Sequence, residues 1–329
     1  MPDPLAGPQH PESVFTYTAP SLVFGRGAIQ DIAFHLRDAR KVLIVTDPGV
    51  AATGAAQRVI DVLPCQVVVW DDTHIEPTDE SLRRISDFVR RTGRWDAFIA
   101  VGGGSSIDTA KAANLMFTNP GDLLDYVNAP IGGGRIPEQP LKPLIAVPTT
   151  TGTGSESTTI CVLDVLDQHV KTGISHARLR PTLAVVDPDL SVTQPPMVTA
   201  CAGLDILCHA LESYTARPFT SFEAKTAEQR VPYCGANPIS DMWAERALGL
   251  MAEAFIPAVR EDDPEARAKV ALAATLAGMG FGNAGVHVPH ANAYPIAGRV
   301  REYRPPDYPQ DEPIIPHGMA VALTAPAAF

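Results

Sequence analysis

The chain has 329 residues, 45% of them hydrophobic and 19% charged, with a formal net charge of −11. That length suits two hydrophobic cores better than one. The acidic balance repels a phosphate backbone, no apolar run approaches the ~20 residues of a membrane span, and five scattered cysteines without a CxxC pair argue against a disulfide framework or a cysteine zinc site. The start, MPDPLAGPQHPESVF, shows neither a basic stretch leading into an apolar one nor an Arg-rich transit-like composition, and a cytoplasmic address is the expectation.

From about residue 41 to 187, short β-branched runs alternate with helical patterns. KVLIVTD, CQVVVWDD, WDAFIAVGGG, LKPLIAVPTT and TLAVVDP read as strands, and DESLRRISDFVRRTG as an amphipathic helix. Strands that are apolar along most of their length demand cover on both faces, which predicts a doubly wound parallel sheet. After DPDLSVTQPP the strand signal fades. MVTACAGLDILCHALESYTA, SDMWAERALGLMAEAFIPAVR and PEARAKVALAATLAGMGFG read as helices, with a long polar loop, ARPFTSFEAKTAEQRVPYCGANPIS, between the first two. The expected division is an α/β domain over 1–190 and a helical domain over 191–329.

Two loops at strand ends carry glycine and hydroxyls. In VGGGSSIDTAK, Gly102, Gly103 and Gly104 let backbone N–H groups approach an anion at a helix N-terminus, which suits a pyrophosphate. A tight strand-to-helix turn would read the same. VPTTTGTGSE follows another strand end and could surround the same ligand. Asp47, just past the first strong strand, stands where an acid accepts hydrogen bonds from an adenosine ribose and disfavours a 2′-phosphate, although an Asp capping the next turn looks identical.

In the helical half, Asp205 and His209 lie one turn apart on one face. With His290 and His317 they would form a one-carboxylate, three-imidazole set suited to Fe2+ or Zn2+. A buried hydrogen-bonded pair explains the Asp205 and His209 spacing equally well, and His287 competes with His290. His74 reads as a loop residue near the adenine side of the sheet.

The motifs GGGSSIDTAK, VPTTTGTGSE, GLDILCHALESY, GFGNAGVHVPH and PHGMAVAL, in this order, resemble the iron-containing (group III) alcohol dehydrogenases. HIEPTDESL, LLDYVNAPIG, LCHALESYTARP and GANPISDMWA are most similar to that family's hydroxyacid-oxoacid transhydrogenase branch. The resemblance implies a Rossmann-like NAD-binding domain and an all-α metal-binding domain of the dehydroquinate synthase-like type. It implies metal ligation by Asp205, His209, His290 and His317. NAD contacts are implied at Asp47, Gly102, Gly103, Gly104, Ser105, Ser106, Asp108, Thr149, Thr150, Thr151, Gly152, Thr153 and Lys171.

Tyr294 stands where many relatives carry a second, proton-relaying histidine, a position at which the transhydrogenase branch shares the tyrosine. A homodimer is the expectation, and the resemblance implies a helical domain shorter than the family's by roughly a hundred residues. The implied reaction moves a hydride from 4-hydroxybutyrate through bound NAD to 2-oxoglutarate, with the metal as Lewis acid. The alternatives are an NAD-dependent alcohol or 4-hydroxybutyrate dehydrogenase that releases NADH, and a non-catalytic remnant. Arg217, Arg299 and Arg301 are candidates to receive substrate carboxylates.

Overall fold

The computed structural model describes residues 11–261, 263–308, 310–311 and 313–329. Its first half contains six parallel strands: β1 (Ser21–Phe24), β2 (Lys41–Val45), β3 (Gln66–Trp70), β4 (Ala97–Gly102), β5 (Leu144–Pro148) and, beyond a hairpin, β8 (Leu183–Val186). The hairpin consists of β6 (Ile160–Val165) and β7 (Val170–Ser175), paired antiparallel. The five strands expected from composition are all present. β1 was not anticipated, because a four-residue, half-exposed edge strand has too few residues to show a period. The hairpin was also missed, although Cys161, Leu163 and Val165 alternate into the core as a one-sided antiparallel pair should.

The sheet order is β1-β8-β5-β4-β2-β3. Alternate residues feed two separate cores. Val42, Ile44, Ile99 and Val101 pack on one face, while Leu43, Val45, Phe98 and Ala100 pack on the other. Because both faces are covered, β4 is buried at every position. Helix α1 (Asp79–Thr92) starts with a reciprocal Thr78 and Ser81 capping box, and α2 (Gly104–Thr118) follows β4 directly. The chain runs outward from β2 to β3 and then returns to place β4 on the other side of β2. The carboxyl ends of β2 and β4 therefore flank a topological switch point, the place where such sheets bind ligands.

The second half is helical: α3 (Pro196–Thr215), α4 (Pro238–Arg260), α5 (Pro264–Ala284), α6 (Val288–Ala297) and α7 (His317–Ala322). Ile206 and Ala210 of α3, one turn apart, pack with Ala244, Ala247, Leu250 and Met251 of α4 and Val270, Ala273 and Ala277 of α5. Small residues allow these helices to approach closely. The same device joins the two halves: Gly154, at φ +61°, lies so near Gly278 of α5 that an added Cβ would sit 2.8 Å from the Gly278 Cα. Arg180 spans the same seam, donating to the carbonyls of Ser157 (2.8 Å) and Gly282 (3.3 Å). Among the described residues, no helix is long and apolar enough to cross a membrane.

Candidate metal and dinucleotide site

Helix α3 presents Asp205, His209 and Glu212 at i, i+4 and i+7, beside the face that carries Ile206 and Ala210. Asp205, His209 and His290 are buried and each offers a ligand atom within 4.8 Å of the others. The His290, His209 and His317 Nε2 atoms lie 3.3, 3.8 and 3.9 Å from Asp205 Oδ1. A tetrahedral ion with bonds of ~2.1 Å holds its donors about 3.4 Å apart, so the set fits a divalent cation. Asp205 Oδ1 and His290 Nε2 have no hydrogen-bond partner although both are buried, the state expected of groups that wait for an ion. Phe281 of α5 stacks on the His209 ring at 4.0 Å and excludes water from that side.

Electrostatics follow from this crowding. Burial disfavours the Asp205 carboxylate, but His209, His317 and His290 together hold it well below the usual carboxylate range. Burial drives His209 down to about 3, keeping it neutral and able to coordinate. His290 is also penalised by burial, yet Asp205 and Glu212 outweigh this and raise it to about 9.

Glu212, fully buried, is the residue that the sequence reading missed. Its Oε2 accepts a short hydrogen bond from His290 Nδ1, and its Oε1 accepts from the backbone N–H of His287 (2.7 Å) and His290 (3.3 Å). This fixes the His290 tautomer and turns Nε2 toward Asp205. The signal was present: Glu212 shares a helical face with Asp205 and His209. We expect Glu212→Gln to weaken divalent-metal binding by roughly 10- to 100-fold, measured by chelator competition at a temperature where thermal melts show the metal-free variant to be folded. Unaltered metal affinity would mean that Glu212 only packs.

The structure also decides between rivals. His287 lines the cavity, but its Nε2 lies 2.8 Å from Thr215 Oγ1 and it stays outside the cluster. Tyr294 stacks on His317 with ring centroids 6.1 Å apart, and burial pushes its hydroxyl up to about 12. His74 lines the neighbouring cavity, with its Nδ1 3.0 Å from the Glu76 carbonyl.

Asp205, His209, His290 and His317 line a cavity of about 580 Å³ whose lining also includes Gly104, Ser105, Asp108, Thr153 and Ser155. The two glycine loops interlock there. An added Cβ on Gly103 would lie 2.7 Å from Thr150 Oγ1, and one on Gly104 would lie 2.9 Å from Thr153 Cγ2. A second cavity of about 1090 Å³, lined by Asp47, Gly49, His74 and Arg299, adjoins the first through Glu76, Lys171, Tyr294 and His317, which line both. The two cavities together flank the switch point, where sheets of this kind bind ligands.

Several expected cofactor contacts are occupied otherwise. Asp47 takes the alternative role foreseen for it, capping the following turn through Val50 N–H (2.9 Å); it also lines the larger cavity, and Ser106 Oγ reaches its second oxygen at 3.2 Å. The Asp108 carboxylate is taken by Lys111 (3.1 Å), Ser155 Oγ (2.5 Å) and Val162 N–H (2.9 Å). Thr151 turns inward and bonds Gln194 (3.1 Å), and Gly152 packs against Ala202, so within residues 149–153 only Thr153 borders the metal-side cavity. Lys171 is held by Glu76 and by Asp164 (3.2 Å). Burial works against its charge, but the two carboxylates raise its pKa above the ordinary lysine range.

A six-stranded parallel sheet with a glycine cradle at its switch point, facing a buried carboxylate and three imidazoles in a helical layer, defines a class of metal-dependent oxidoreductases. Residues 19–188 match the family model for iron-containing alcohol dehydrogenase, and residues 199–329 match that for the Fe-containing alcohol dehydrogenase family, C-terminal. The chain belongs to the iron-containing alcohol dehydrogenase family.

It is 45% identical over 324 residues to the mitochondrial hydroxyacid-oxoacid transhydrogenase of Xenopus laevis, covering 96% of this chain and 70% of that protein. The crystal structure of 1,3-propanediol oxidoreductase superposes with a TM-score of 0.80 at 31% identity, covering 96% of this chain and 75% of that one. Sulfoacetaldehyde reductase from Bifidobacterium kashiwanohense, in complex with NAD+, gives 0.78 at 28% identity, over 94% and 75%. The expectation of a cytoplasmic address is overturned by the mitochondrial relatives, because the absence of a recognisable leader pattern is weak ground for assigning a compartment.

Proposed function

We propose that this chain transfers hydride between a hydroxyacid and an oxoacid, using NAD and a divalent ion, iron in the first instance, as a hydroxyacid-oxoacid transhydrogenase does. The observation that carries the reading is that Asp205, His209, His290 and His317 line the same cavity as Gly104, Ser105 and Thr153. The likeness to the Xenopus laevis protein supports it, and the NAD+ complex of the sulfoacetaldehyde reductase supports the choice of cofactor.

In this reading Asp205, His209, His290 and His317 hold the ion, and Gly102, Gly103, Gly104, Ser105 and Ser106 cradle the pyrophosphate. A bound cation supplies Lewis acidity at a substrate oxygen, and NAD supplies the hydride carrier. The protein groups do the rest. Glu212 keeps the His290 Nε2 lone pair directed into the site, and Phe281 keeps the His209 side dry. Lys171, pinned by two carboxylates, brings a fixed positive charge to the boundary of the two cavities. Tyr294 lies beside it with a protonated hydroxyl available to donate.

The test uses 4-hydroxybutyrate, 2-oxoglutarate and NAD at a small fraction of the substrate concentration. The expected result is accumulation of 2-hydroxyglutarate, with no net NADH before the oxoacid is added. Steady NADH accumulation without an acceptor would assign the chain to the ordinary NAD-dependent dehydrogenases instead. Metal bound without any hydride transfer would reject catalysis.

A further inference from the structure

We propose that Arg217 is the carboxylate receptor of this site, a specificity-determining residue for hydroxyacid and oxoacid substrates; the inference rests on the function proposed above and names the group that would recognise its substrates. The cavity bordering the metal cluster has a largely apolar wall that includes Phe222, Phe281 and Val286. In such a wall a single well-placed cation orients an anionic ligand. Among the described residues, the lysines and arginines lining it are Lys171 and Arg217. Lys171 already faces Glu76 and Asp164, so an incoming carboxylate there would meet two like charges.

Arg217 is in the opposite condition. It has no carboxylate partner among the described residues, yet its guanidinium is fixed in place. Nε donates to Ser221 Oγ (2.8 Å), Nη2 donates to the Ser221 carbonyl (2.6 Å), and the plane lies over the Phe222 ring at 4.6 Å from the centroid. Nη1 is left unengaged among these contacts, on a residue that lines the cavity. A planar fork held in advance loses little freedom when it binds a carboxylate.

The backbone beneath it is pinned as well. Ala236 N–H donates to the Arg217 carbonyl at 3.1 Å. Glu12 straps the following loop from the other side: its N–H bonds the Phe222 carbonyl, and its carboxylate accepts from Lys225 N–H and Arg230.

Position agrees with chemistry. Arg217 lies just beyond the end of α3, the helix that carries Asp205 and His209. At ~1.5 Å per residue the end of α3 is about 9 Å past His209 along the axis, a gap that a four- or five-carbon hydroxyacid and an arginine side chain close together. The other candidates fall away. Arg299 borders the larger cavity, and Arg301 Nη1 donates to the carbonyls of Gly298 and Val300.

The experiment compares the metal- and NAD-loaded chain with Arg217→Gln and Arg217→Lys. It measures oxidation of 4-hydroxybutyrate and of 1-butanol, which lacks the carboxylate, and calorimetric binding of succinate. Arg217→Gln is expected to lower the ratio of kcat/KM for 4-hydroxybutyrate over 1-butanol by roughly 10- to 100-fold, chiefly through KM, and to weaken succinate binding by a similar factor. Arg217→Lys should recover part of both losses, and it carries the test if thermal melts show that the Gln variant does not fold.

An unchanged ratio and unchanged succinate affinity in the folded variants would overturn the assignment while leaving the transhydrogenase reading intact. A wild-type chain that ignores 4-hydroxybutyrate, yet loses succinate affinity on substitution, would sink that reading and leave the receptor standing. A wild-type chain that neither oxidises the acid nor binds succinate would reject both.

Discussion

Asp205→Ala is expected to bring the metal content from near one ion per chain to near none, and to lower turnover on the order of 1,000-fold or more. The size follows from the several kcal/mol that a Lewis acid contributes at a developing alkoxide charge. Asp205 is the one anion that the three imidazoles share: their Nε2 atoms surround its Oδ1 at 3.3 to 3.9 Å. Without it, three imidazoles in a buried pocket must bind a dication with no carboxylate in direct contact, and Glu212, one step removed behind His290, offsets the charge only in part. Metal analysis by mass spectrometry, together with the hydride assay, checks the result. The wild type stripped by a chelator should match the variant and recover when Fe2+ or Zn2+ is restored, whereas the variant should not. Stoichiometric metal in Asp205→Ala would remove Asp205 from the ligand set.

The second large effect is on stability. Lys111 is completely buried within α2, and its three N–H donors are shared among Asp108 Oδ1 (3.1 Å), Ser155 Oγ (2.8 Å), Thr158 Oγ1 (3.1 Å) and the Ile160 carbonyl (2.7 Å), all within hydrogen-bond distance of Nζ. Lys111→Met keeps the volume but removes the cation paired with the Asp108 carboxylate, itself 7% exposed, leaving it only Ser155 Oγ and Val162 N–H, and frees the loop that leads into β6. Breaking a buried pair from one side costs about 3–5 kcal/mol, which corresponds to a fall in Tm of roughly 5–15 °C. The double variant Lys111→Met/Asp108→Asn should recover much of this loss, because it leaves no uncompensated charge. Calorimetric melts of the four proteins complete the cycle. If the double variant is as unstable as the sum of the singles, the pair is not coupled and the argument fails.

Lys111 and Asp108 also show why a motif is not a set of roles. GGGSSIDTAK places both residues on α2 just past the glycine cradle, and the resemblance carried Asp108 to the cofactor. In the folded chain the Asp108 carboxylate ties α2 to Ser155 and Val162 while the residue also lines the metal-side cavity, so it acts on the cleft in part through the loop that bears Thr153. Among the threonines, the inward turn of Thr151 toward Gln194 depends on a residue 43 positions away, beyond any local pattern.

The sequence alone determined the alternation of apolar strands and helices that makes a covered parallel sheet, the change to helical periodicity after residue 196, and the shared face of Asp205 and His209. Each of these is a local property, written in side-chain periods of two or of about 3.6 residues. Tertiary structure alone decided that His290 rather than His287 turns into the site, that Arg217 rather than Arg299 or Arg301 borders the metal-side cavity, and that Asp108 is spent on Lys111. Those outcomes depend on partners brought together from far along the chain, as with Glu212 and His290, 78 residues apart. Periodicity fixes which face of an element a side chain occupies; only the packing of elements against one another fixes what that face meets.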